Sequence, residues 1–429
     1  MTYPQYFRVR QIFERPRVAD IPGTVETELA RLQLGERISA GQTVAITAGS
    51  RGIINIRVIL KAIIDHLKRL DARPFIVPAM GSHGGGTPVG QVEVLASYGV
   101  TEEYCGCPIK ASMETVVVCQ TAEGFPVHFD RHAYEADHVL VCGRVKPHTD
   151  FTGDIQSGLM KMMLIGLGKH EGAKVYHRAI HDYSFPQIVR SVAGRVLAQC
   201  KIVAGVGVVE NGYDETAQIT AVRAEEIEAR EKELLQVATQ LMPRLPFREV
   251  DILVVDEIGK NISGTGMDTN VIGRKFNDHA AVEGEWPKVR RIVVRSLTEQ
   301  THGNAAGIGI AEFCRTQVLN QTDRHKTWVN ALTAGHVASV MIPLHYETDR
   351  EIFDAALPTI GLRGPADARV LWIKNTLELA EVECSATYLE EARSRDDLEV
   401  ISPLRPLPFD SAGNWPQFQG LVAAASSRR

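Results

Sequence analysis

Short runs of β-branched and apolar residues alternate with longer segments of helical periodicity through the first half of the chain. Residues 43–47 are typical of a buried strand, and residues 53–70 place apolar side chains on one helix face. The alternation continues with predicted strands at 74–79, 116–119, 138–142 and 201–209, and with predicted helices at 89–98, 157–167 and 186–199. Alternating strands and helices predict a mainly parallel sheet with helices on both faces.

The best candidate for a domain boundary follows a charged helix that we predict over residues 222–242. Pro243-Arg244-Leu245-Pro246 stops that helix, and an apolar run at 250–255 then begins a second α/β pattern. The prolines between 403 and 408 indicate an extended strap. We therefore predict an α/β protein with mainly parallel sheets, an N-terminal domain over 1–245, a C-terminal domain over 248–400, an extended tail over 401–429 and an active site in the cleft between the domains.

Composition excludes several classes of protein. The chain has 429 residues, 44% of them apolar and 23% charged, and a net charge of −5, which is ordinary for a globular protein. There is no basic footprint for nucleic acid or a membrane surface, no apolar run approaching ~18 residues, and no apolar signal-peptide core in residues 1–10. Seven scattered cysteines without a CxxC pair argue against a disulfide framework and a structural zinc site. We expect a cytoplasmic protein that binds neither nucleic acid nor membrane.

Candidate chemistry is concentrated where predicted strands end. Ser50-Arg51, His83 and His148 each follow a predicted strand, and nine of the fourteen histidines lie between His66 and His181. Ligands of open parallel sheets bind beyond the carboxyl ends of the strands, so we expect these three loops to converge. Any one of them alone would be an ordinary loop residue, but three together on one edge predict a functional site.

Three further features carry possible chemistry. Lys161 lies inside an apolar run, where a lysine is either a snorkelling surface residue or a chemically used amine, because burial disfavours its charged form. Gly84 and Gly85, in a run of three glycines, let backbone N–H groups approach a phosphate or carboxylate. His177 and His181 have the spacing of metal ligands on a helix face, but a complete three-ligand zinc site is not evident.

These residues resemble the nickel-pincer lactate racemases over most of the chain, best over residues 45–180. Gly81-Ser82-His83 is similar to the loop of one catalytic histidine in that family, and Pro147-His148 to the loop of the second. The segment from Ser157 to Lys161 resembles the family's Ser-Gly-Gly-Arg-Lys, and His177 follows Lys161 at the family spacing of sixteen residues. Ser50-Arg51 resembles the Thr-Arg of the motif Asp-x-Thr-Arg.

The resemblance implies a cofactor and a role for each residue. The cofactor would be a nickel pincer nucleotide of the pyridinium-3-thioamide-5-thiocarboxylate mononucleotide type, covalently bound at Lys161, with His177 coordinating the nickel. Cofactor-biosynthesis enzymes are then implied as partners. The catalytic bases would be His83 and His148, and the residues expected to contact the cofactor are Ser50, Arg51, Gly84 and Gly85.

Three departures from the family pattern concern the substrate. Ala48 stands where the family has Asp, and the gap from His148 to Lys161 is thirteen residues instead of ten. The substrate-carboxylate glutamine and lysine of the second domain have no clean counterpart, so Arg274 or Lys275 could substitute. We therefore predict that a 2-hydroxy acid larger than lactate is preferred.

The predicted function is that of a racemase or epimerase acting on a 2-hydroxy acid. The hydrogen on a carbon beside a carboxylate is barely acidic, so inversion is easier by transient oxidation, with hydride transferred to the lysine-tethered cofactor and returned to the opposite face. Such a scheme needs one base on each face, and histidine has a suitable pKa. Two alternatives remain: a zinc-dependent hydrolase with His83, His148 and His177 as ligands, and a non-catalytic protein of the same fold that binds a small anion.

Overall fold

The computed structural model describes residues 2–50, 52–150, 152–180, 182–274 and 286–419. The described chain forms two compact units. The C-terminal unit takes its residues from Met1–Phe13 and Pro243–Arg428, and the N-terminal unit from Glu14–Met242. Each unit has a mostly parallel sheet with helices, which confirms the predicted α/β class.

The strand that opens the chain, β1 (Tyr6–Gln11), belongs to the C-terminal unit. It pairs antiparallel with two strands from the far end of the chain, and its side chains Phe7 and Val9 are fully buried. The sequence division, which placed residues 1–13 in the first domain, therefore differs from the structure at this end. The difference is tertiary in origin, because the partners of β1 lie more than 370 residues away.

The N-terminal unit is built on a five-stranded sheet. The strands of the whole unit are β2 (Thr43–Ala48), β3 (Arg73–Pro78), β4 (Thr115–Gln120), β5 (Pro126–Asp130), β6 (His138–Arg144), β7 (Ile202–Glu210) and β8 (Thr216–Arg223). Its helices are α1 (Ile21–Arg31), α2 (Ile56–Arg69), α3 (Pro88–Ser97), α4 (Glu102–Cys105), α5 (Arg131–Glu135), α6 (Leu159–Lys161), α7 (Lys169–Ala179), α8 (Phe185–Gln199) and α9 (Ile227–Leu241). The sheet order is β3-β2-β6-β7-β8, parallel except for β8, and β4 and β5 form a separate antiparallel ribbon.

The predicted elements of this unit are found with three differences. The predicted strand at 116–119 is β4, which lies in the ribbon and not in the parallel sheet. The segment predicted as one helix over 222–242 starts as the end of β8, because those residues pair with β7, and α9 begins only at Ile227. Strands β5 and β8 and helices α1, α4, α5 and α7 were not predicted as elements. The core strands β2, β3, β6 and β7 are buried almost throughout, as expected for strands covered on both faces.

The C-terminal unit has an eight-stranded sheet that includes β1. Its other strands are β9 (Glu249–Ile258), β10 (Lys288–Leu297), β11 (Phe313–Arg315), β12 (Leu344–Tyr346), β13 (Val370–Ile373), β14 (Glu381–Ser385) and β15 (Leu398–Val400). Its helices are α10 (Thr269–Ile272), α11 (Thr316–Gln321), α12 (Arg324–Ala334), α13 (Asp349–Ala356) and α14 (Leu389–Arg393). The sheet order is β12-β11-β10-β9-β13-β14-β1-β15, parallel from β12 to β13 and antiparallel beyond it.

The tail that follows β15 packs onto this unit. Arg405 forms a bridge with Tyr6, and the side chains of Trp415 and Phe418 are buried in the same apolar cluster as Trp372. Residues 420–429 lie outside the described chain. Within the part of the chain that the structure describes, no helix has the length and apolarity to cross a membrane.

Candidate functional site

The three loops singled out from the sequence all leave one edge of the N-terminal sheet. The neighbouring strands β2, β3 and β6 run parallel and end at Ala48, Pro78 and Arg144. Ser50 follows β2, His83 follows β3, and His148 follows β6. Parallel strands bring their carboxyl ends to the same edge, so the arrangement has the topology of a ligand site.

The segment that carries Lys161 packs directly against this edge. A Cβ atom added to Gly49 would lie 3.1 Å from Met162 Cε, and one added to Gly143 would lie 3.3 Å from the same atom. A Cβ added to Gly81 would lie 3.1 Å from Ile165 Cγ2. Glycines at the ends of β2, β3 and β6 thus allow close approach of the turn that starts at Lys161. The lysine is therefore brought to the edge that carries the Ser50, His83 and His148 loops.

A π-helical turn, Met162–Gly166, follows α6 and leads into α7, which carries His177 near its end. Single π-helical turns inside helices are often found at functional sites. Tyr176 stands beside His177 with ring centroids 5.1 Å apart, and it meets Phe185 edge to face at 5.7 Å. Burial raises the pKa of the Tyr176 hydroxyl well above its usual value, and the nearby Asp150 charge adds to the effect. The hydroxyl is therefore protonated and uncharged near neutral pH.

The ring of His83 is exposed and is oriented by the loop after β2. Ser50 Oγ forms a short hydrogen bond with His83 Nδ1. The Ser50 carbonyl in turn accepts a hydrogen bond of 2.6 Å from the Tyr98 hydroxyl. Because a serine hydroxyl can donate or accept, this contact is compatible with either neutral tautomer of His83. The predicted pair Ser50 and His83 is therefore brought together.

The glycine turn after His83 is left-handed throughout. Gly84, Gly85 and Gly86 have φ angles of 65°, 66° and 64°. A Cβ on Gly84 would lie 2.6 Å from the backbone of Gly90, whereas one on Gly85 would meet nothing within 4 Å. The N–H groups of Gly84 and Gly85 form no hydrogen bond within the described chain. Such a turn before a helix is suited to an anion.

His148 lies in a loop whose two ends are tied together. Lys146 and Ser157 exchange backbone hydrogen bonds of 3.0 and 3.2 Å, which closes the excursion that follows β6. Inside the loop, the His148 N–H donates to Gln156 Oε1 at 2.6 Å, and the Asp150 N–H donates to His148 Nδ1 at 3.0 Å. An Nδ1 that accepts an N–H places the proton of the neutral ring on Nε2.

Packing and charge fix the His148 loop further. The imidazole stacks on Phe185 with centroids 6.0 Å apart, and the side chain is only 14% exposed. Farther along the loop, Asp154 pairs with Arg190 of α8 at 2.6 Å and with Lys232 of α9 at 3.0 Å. The hydrogen bond from Arg190 lowers the pKa of Asp154 to about 2, so this anchor is charged over the whole physiological range.

The helix that carries Lys161 begins at Gly158, which provides no side-chain cap. The cap comes from α9, where the fully buried Glu231 accepts the Met160 N–H at 2.8 Å. A Cβ on Gly158 would lie 2.4 Å from Glu231 Cδ, so the Ser-Gly of the Lys161 segment makes room for this carboxyl. Burial raises the pKa of Glu231 to about 7.

Not every predicted site residue is described or available. Arg51, His181 and Lys275 lie outside the described residues. Arg274 is described, and its guanidinium is engaged within the C-terminal unit. It bonds Glu312 Oε1 at 2.7 Å and three backbone carbonyls, those of Ile310, Val289 and Arg290 at 2.9, 2.8 and 2.8 Å. These bonds hold the end of α10 to the sheet and do not favour a substrate role.

No group of three or more His, Cys, Asp or Glu side chains in the described chain is close enough to hold a metal ion. A zinc site made of His83, His148 and His177 therefore has no support in the geometry. By residue type, Lys161, His177 and the turn at Gly84 and Gly85 fit a tethered cofactor, which requires an amine, one metal ligand and an anion cradle.

Sequence reasoning missed four buried polar residues around the site: Gln91, Asp130, Lys169 and Glu231. Glu231 had a detectable signal, because it occupies a position on the apolar face of α9 among Ile227, Leu234, Leu235, Ala238 and Leu241. Lys169 could have been noticed as a second lysine close to the first. Asp130 and Gln91 carry no such signal, because their importance depends on partners distant in sequence.

The fold and this edge define an α/β protein with its candidate site beyond the carboxyl ends of parallel strands. Residues 19–185 match the family model described as the lactate racemase N-terminal domain, so this part of the chain is similar to that family. A similar fold is found in the lactate racemase apoprotein from Thermoanaerobacterium thermosaccharolyticum, with a TM-score of 0.57 and 13% identity over 87% of this chain and 99% of that one. At this identity the likeness concerns the fold alone. A comparison with curated proteins finds no match.

Proposed function

We propose that the protein is a racemase or epimerase that inverts the carbinol carbon of a small 2-hydroxy acid with a nickel pincer nucleotide tethered at Lys161. One observation carries the proposal: the Lys161 turn packs against the strand ends from which the His83 and His148 loops depart. A racemase needs a reactive centre with a proton-transfer group on either side, and these two histidines are on separate loops at one edge.

Each group of the cofactor has a proposed partner in the chain. The Lys161 amine would hold the pyridinium ring covalently, and His177 would coordinate the nickel. The turn at Gly84 and Gly85, together with Ser50 and Arg51, would hold the phosphate. When bound, the group supplies a two-electron acceptor for the hydrogen of the carbinol carbon, which no side chain can provide. Other enzymes would have to make the cofactor.

The two histidines are suited to opposite proton-transfer roles. His148 carries its proton on Nε2 in the neutral form, because Nδ1 accepts the Asp150 N–H. His83 can present a proton-free Nε2 when Ser50 Oγ accepts from Nδ1. His83 would then take the hydroxyl proton as the substrate becomes a ketone, and His148 would return a proton to the oxygen presented to the other face. For the opposite enantiomer the roles exchange.

The decisive experiment is peptide mass mapping of Lys161 in protein purified from the native host. We expect an added mass at Lys161 that is absent when the protein is expressed without cofactor-synthesis enzymes. Lys161→Arg should abolish the added mass and the activity, whereas Lys174→Arg, at an exposed lysine of α7, should change neither. Fully active native protein with an unmodified Lys161 would refute the tether.

One observation also favours a second function, the binding of a small anion without catalysis. The Gly84 and Gly85 N–H groups could hold a carboxylate or phosphate with no help from Lys161. This alternative expects native-host protein with an unmodified Lys161 and no racemisation of any 2-hydroxy acid. The mass-mapping experiment therefore separates the two functions.

A further inference from the structure

Lys169 is a lysine in an unfavourable position that the proposed chemistry does not use. Its side chain is fully buried, and its Nζ lies 2.9 Å from Oδ2 of Asp130, which is also fully buried. Its backbone has a φ of +54°, in the left-handed region where side chains other than glycine are strained. A buried charge pair and backbone strain at one residue indicate that the surrounding structure enforces this conformation for a purpose.

The Lys169 amine contacts the segment that carries His83. Nζ donates a short hydrogen bond to the carbonyl of Pro78, the last residue of β3, and lies 3.5 Å from Gln91 Oε1. Gln91, also fully buried, donates through Nε2 to the carbonyls of Gly81 at 3.0 Å and His83 at 3.3 Å. The segment between β3 and the glycine turn is thus held at its start by the Lys169 amine and farther along by Gln91, whose side chain lies beside that amine.

The position of Lys169 in the chain connects these contacts to the helix that carries His177. It is the first residue of α7, shortly after the π-helical turn Met162–Gly166 that follows Lys161, and His177 lies on the same helix. Asp130 fixes the amine from the other side, and its Oδ1 caps α5 by accepting the Ala133 N–H at 2.9 Å. The residue therefore joins the segment of Lys161 and His177 to the segment of His83.

We propose that Lys169, paired with Asp130 and bridged through Gln91, is a positioning residue that sets His83 relative to Lys161 and His177. This inference rests on the proposed function for its catalytic consequence, but its structural statement concerns His83 alone. Misplacing a catalytic group by about 1 Å can cost ~10²-fold in rate. A merely structural ion pair would stabilise the core without affecting the reactivity of His83.

The test uses a double variant that removes both charges together, Lys169→Met with Asp130→Asn. Replacing both partners avoids an unpaired buried charge, and the asparagine keeps an oxygen for the cap of α5. A second variant, Gln91→Met, leaves the ion pair intact and removes only the link to Gly81 and His83. Lys201→Met is the matched control. Lys201 directly precedes β7, also has a φ of +54°, and donates from Nζ to the backbone carbonyl of Ala136.

The first measurement needs neither cofactor nor substrate. Full-length apoprotein is treated with diethyl pyrocarbonate, and the modification rate of His83 is followed by peptide mapping with the exposed His325 as internal reference. We expect an altered His83 rate in Gln91→Met and in the double variant, and an unaltered rate in Lys201→Met. Circular dichroism establishes whether each variant is folded. If the double variant does not fold, the His83 modification rate in Gln91→Met alone decides the test.

The second measurement is the kcat and KM of cofactor-loaded enzyme on a 2-hydroxy acid. We expect kcat to fall by ~10²-fold with little change in KM, because the substrate-binding groups stay in place, and Lys169→Arg to recover part of the loss. Folded variants with unchanged His83 reactivity and unchanged kcat would overturn the inference. If wild-type holoenzyme racemises nothing, the proposed function fails, and the His83 rate still decides whether Lys169 positions the loop.

Discussion

His83 and His148 are held in different ways, although we assign them equivalent roles. His83 is exposed and its Nδ1 contacts the Ser50 hydroxyl, whereas His148 is mostly buried, stacked on Phe185 and hydrogen-bonded by the Asp150 N–H. Substitution at the two sites should therefore have similar effects on activity and different effects on stability.

Replacing either histidine with alanine should reduce racemisation by ~10²–10⁴-fold, the range for loss of a general acid or base. His83→Ala should leave the stability within about 0.5 kcal/mol of wild type, as is usual for exposed positions, and His148→Ala should lower it by ~1 kcal/mol. Chiral chromatography of the product and thermal unfolding measure the two effects. His325→Ala, at an exposed histidine of α12, is the control. A large loss of stability in His83→Ala would indicate a structural role instead.

At the scale of elements, the helix that carries Lys161 depends on a cap from a distant helix. Gly158 has no side chain to offer, and the carboxyl of Glu231 on α9 accepts the Met160 N–H in its place. Because this carboxyl is fully buried, its pKa is raised from 4.5 to about 7, and the cap is sensitive to pH near neutrality.

The sign of that sensitivity follows from linkage. The folded protein binds the Glu231 proton more tightly than the unfolded chain, so the stabilising contribution is complete below pH 4.5 and is lost as the pH rises through about 7. In the wild type, the free energy of unfolding should therefore decrease by up to ~3 kcal/mol between pH 4.5 and 8. Glu231→Gln cannot titrate and should abolish this decrease, which urea unfolding across that pH range measures. Glu233→Gln, at an exposed carboxylate of α9, should retain it. An identical pH dependence in Glu231→Gln and wild type would contradict the assignment.

The loop between His148 and Lys161 bears on the choice of substrate. Its ends are closed by Lys146 and Ser157, and Ala48 at the end of β2 stands where the resemblance implies an Asp. We propose that the longer loop and the smaller side chain alter the substrate site, because contacts of this kind discriminate substrates by ~1–3 kcal/mol each. We expect holoenzyme to turn over a larger 2-hydroxy acid faster than lactate in a panel of single enantiomers. Lactate as the best substrate would show that these departures do not affect specificity.

At the scale of the whole molecule, the chain begins in one unit, continues through the other and returns. The strand β1 lies between β14 and β15 in the C-terminal sheet, and Phe7 and Val9 are fully buried there. The N-terminal unit, Glu14–Met242, contains its complete sheet without these residues.

Deleting residues 2–13 should therefore unfold the C-terminal unit and spare the N-terminal unit. The loss of two buried side chains and two strand pairings exceeds ~5 kcal/mol, which is comparable with the whole stability of a typical domain. Limited proteolysis with mass spectrometry should give rapid loss of peptides from 243–419 and persistence of a fragment near 14–242. Glu399→Ala, which removes only the exposed pair with Arg10, should change neither rate. Equal protection of both units after the deletion would contradict this account.

Local sequence patterns determined the four parallel strands of the N-terminal sheet and the candidate loops that follow three of them. Strands β2, β3, β6 and β7 have continuous apolar runs, and the topology of parallel strands then requires Ser50, His83 and His148 to share an edge. The resemblance to the lactate racemase family supplied the roles proposed for Lys161 and His177, which composition and periodicity do not reveal.

Tertiary structure alone decided the features that depend on contacts between distant residues. No local pattern shows that β1 pairs with β14, that Glu231 caps the helix of Lys161, or that Lys169 pairs with Asp130. The same holds for Arg274, a candidate ligand in the sequence whose guanidinium is engaged by Glu312 and backbone carbonyls. A hydrophobic pattern specifies which face of an element is buried, whereas the partner of a buried polar group depends on how the elements pack.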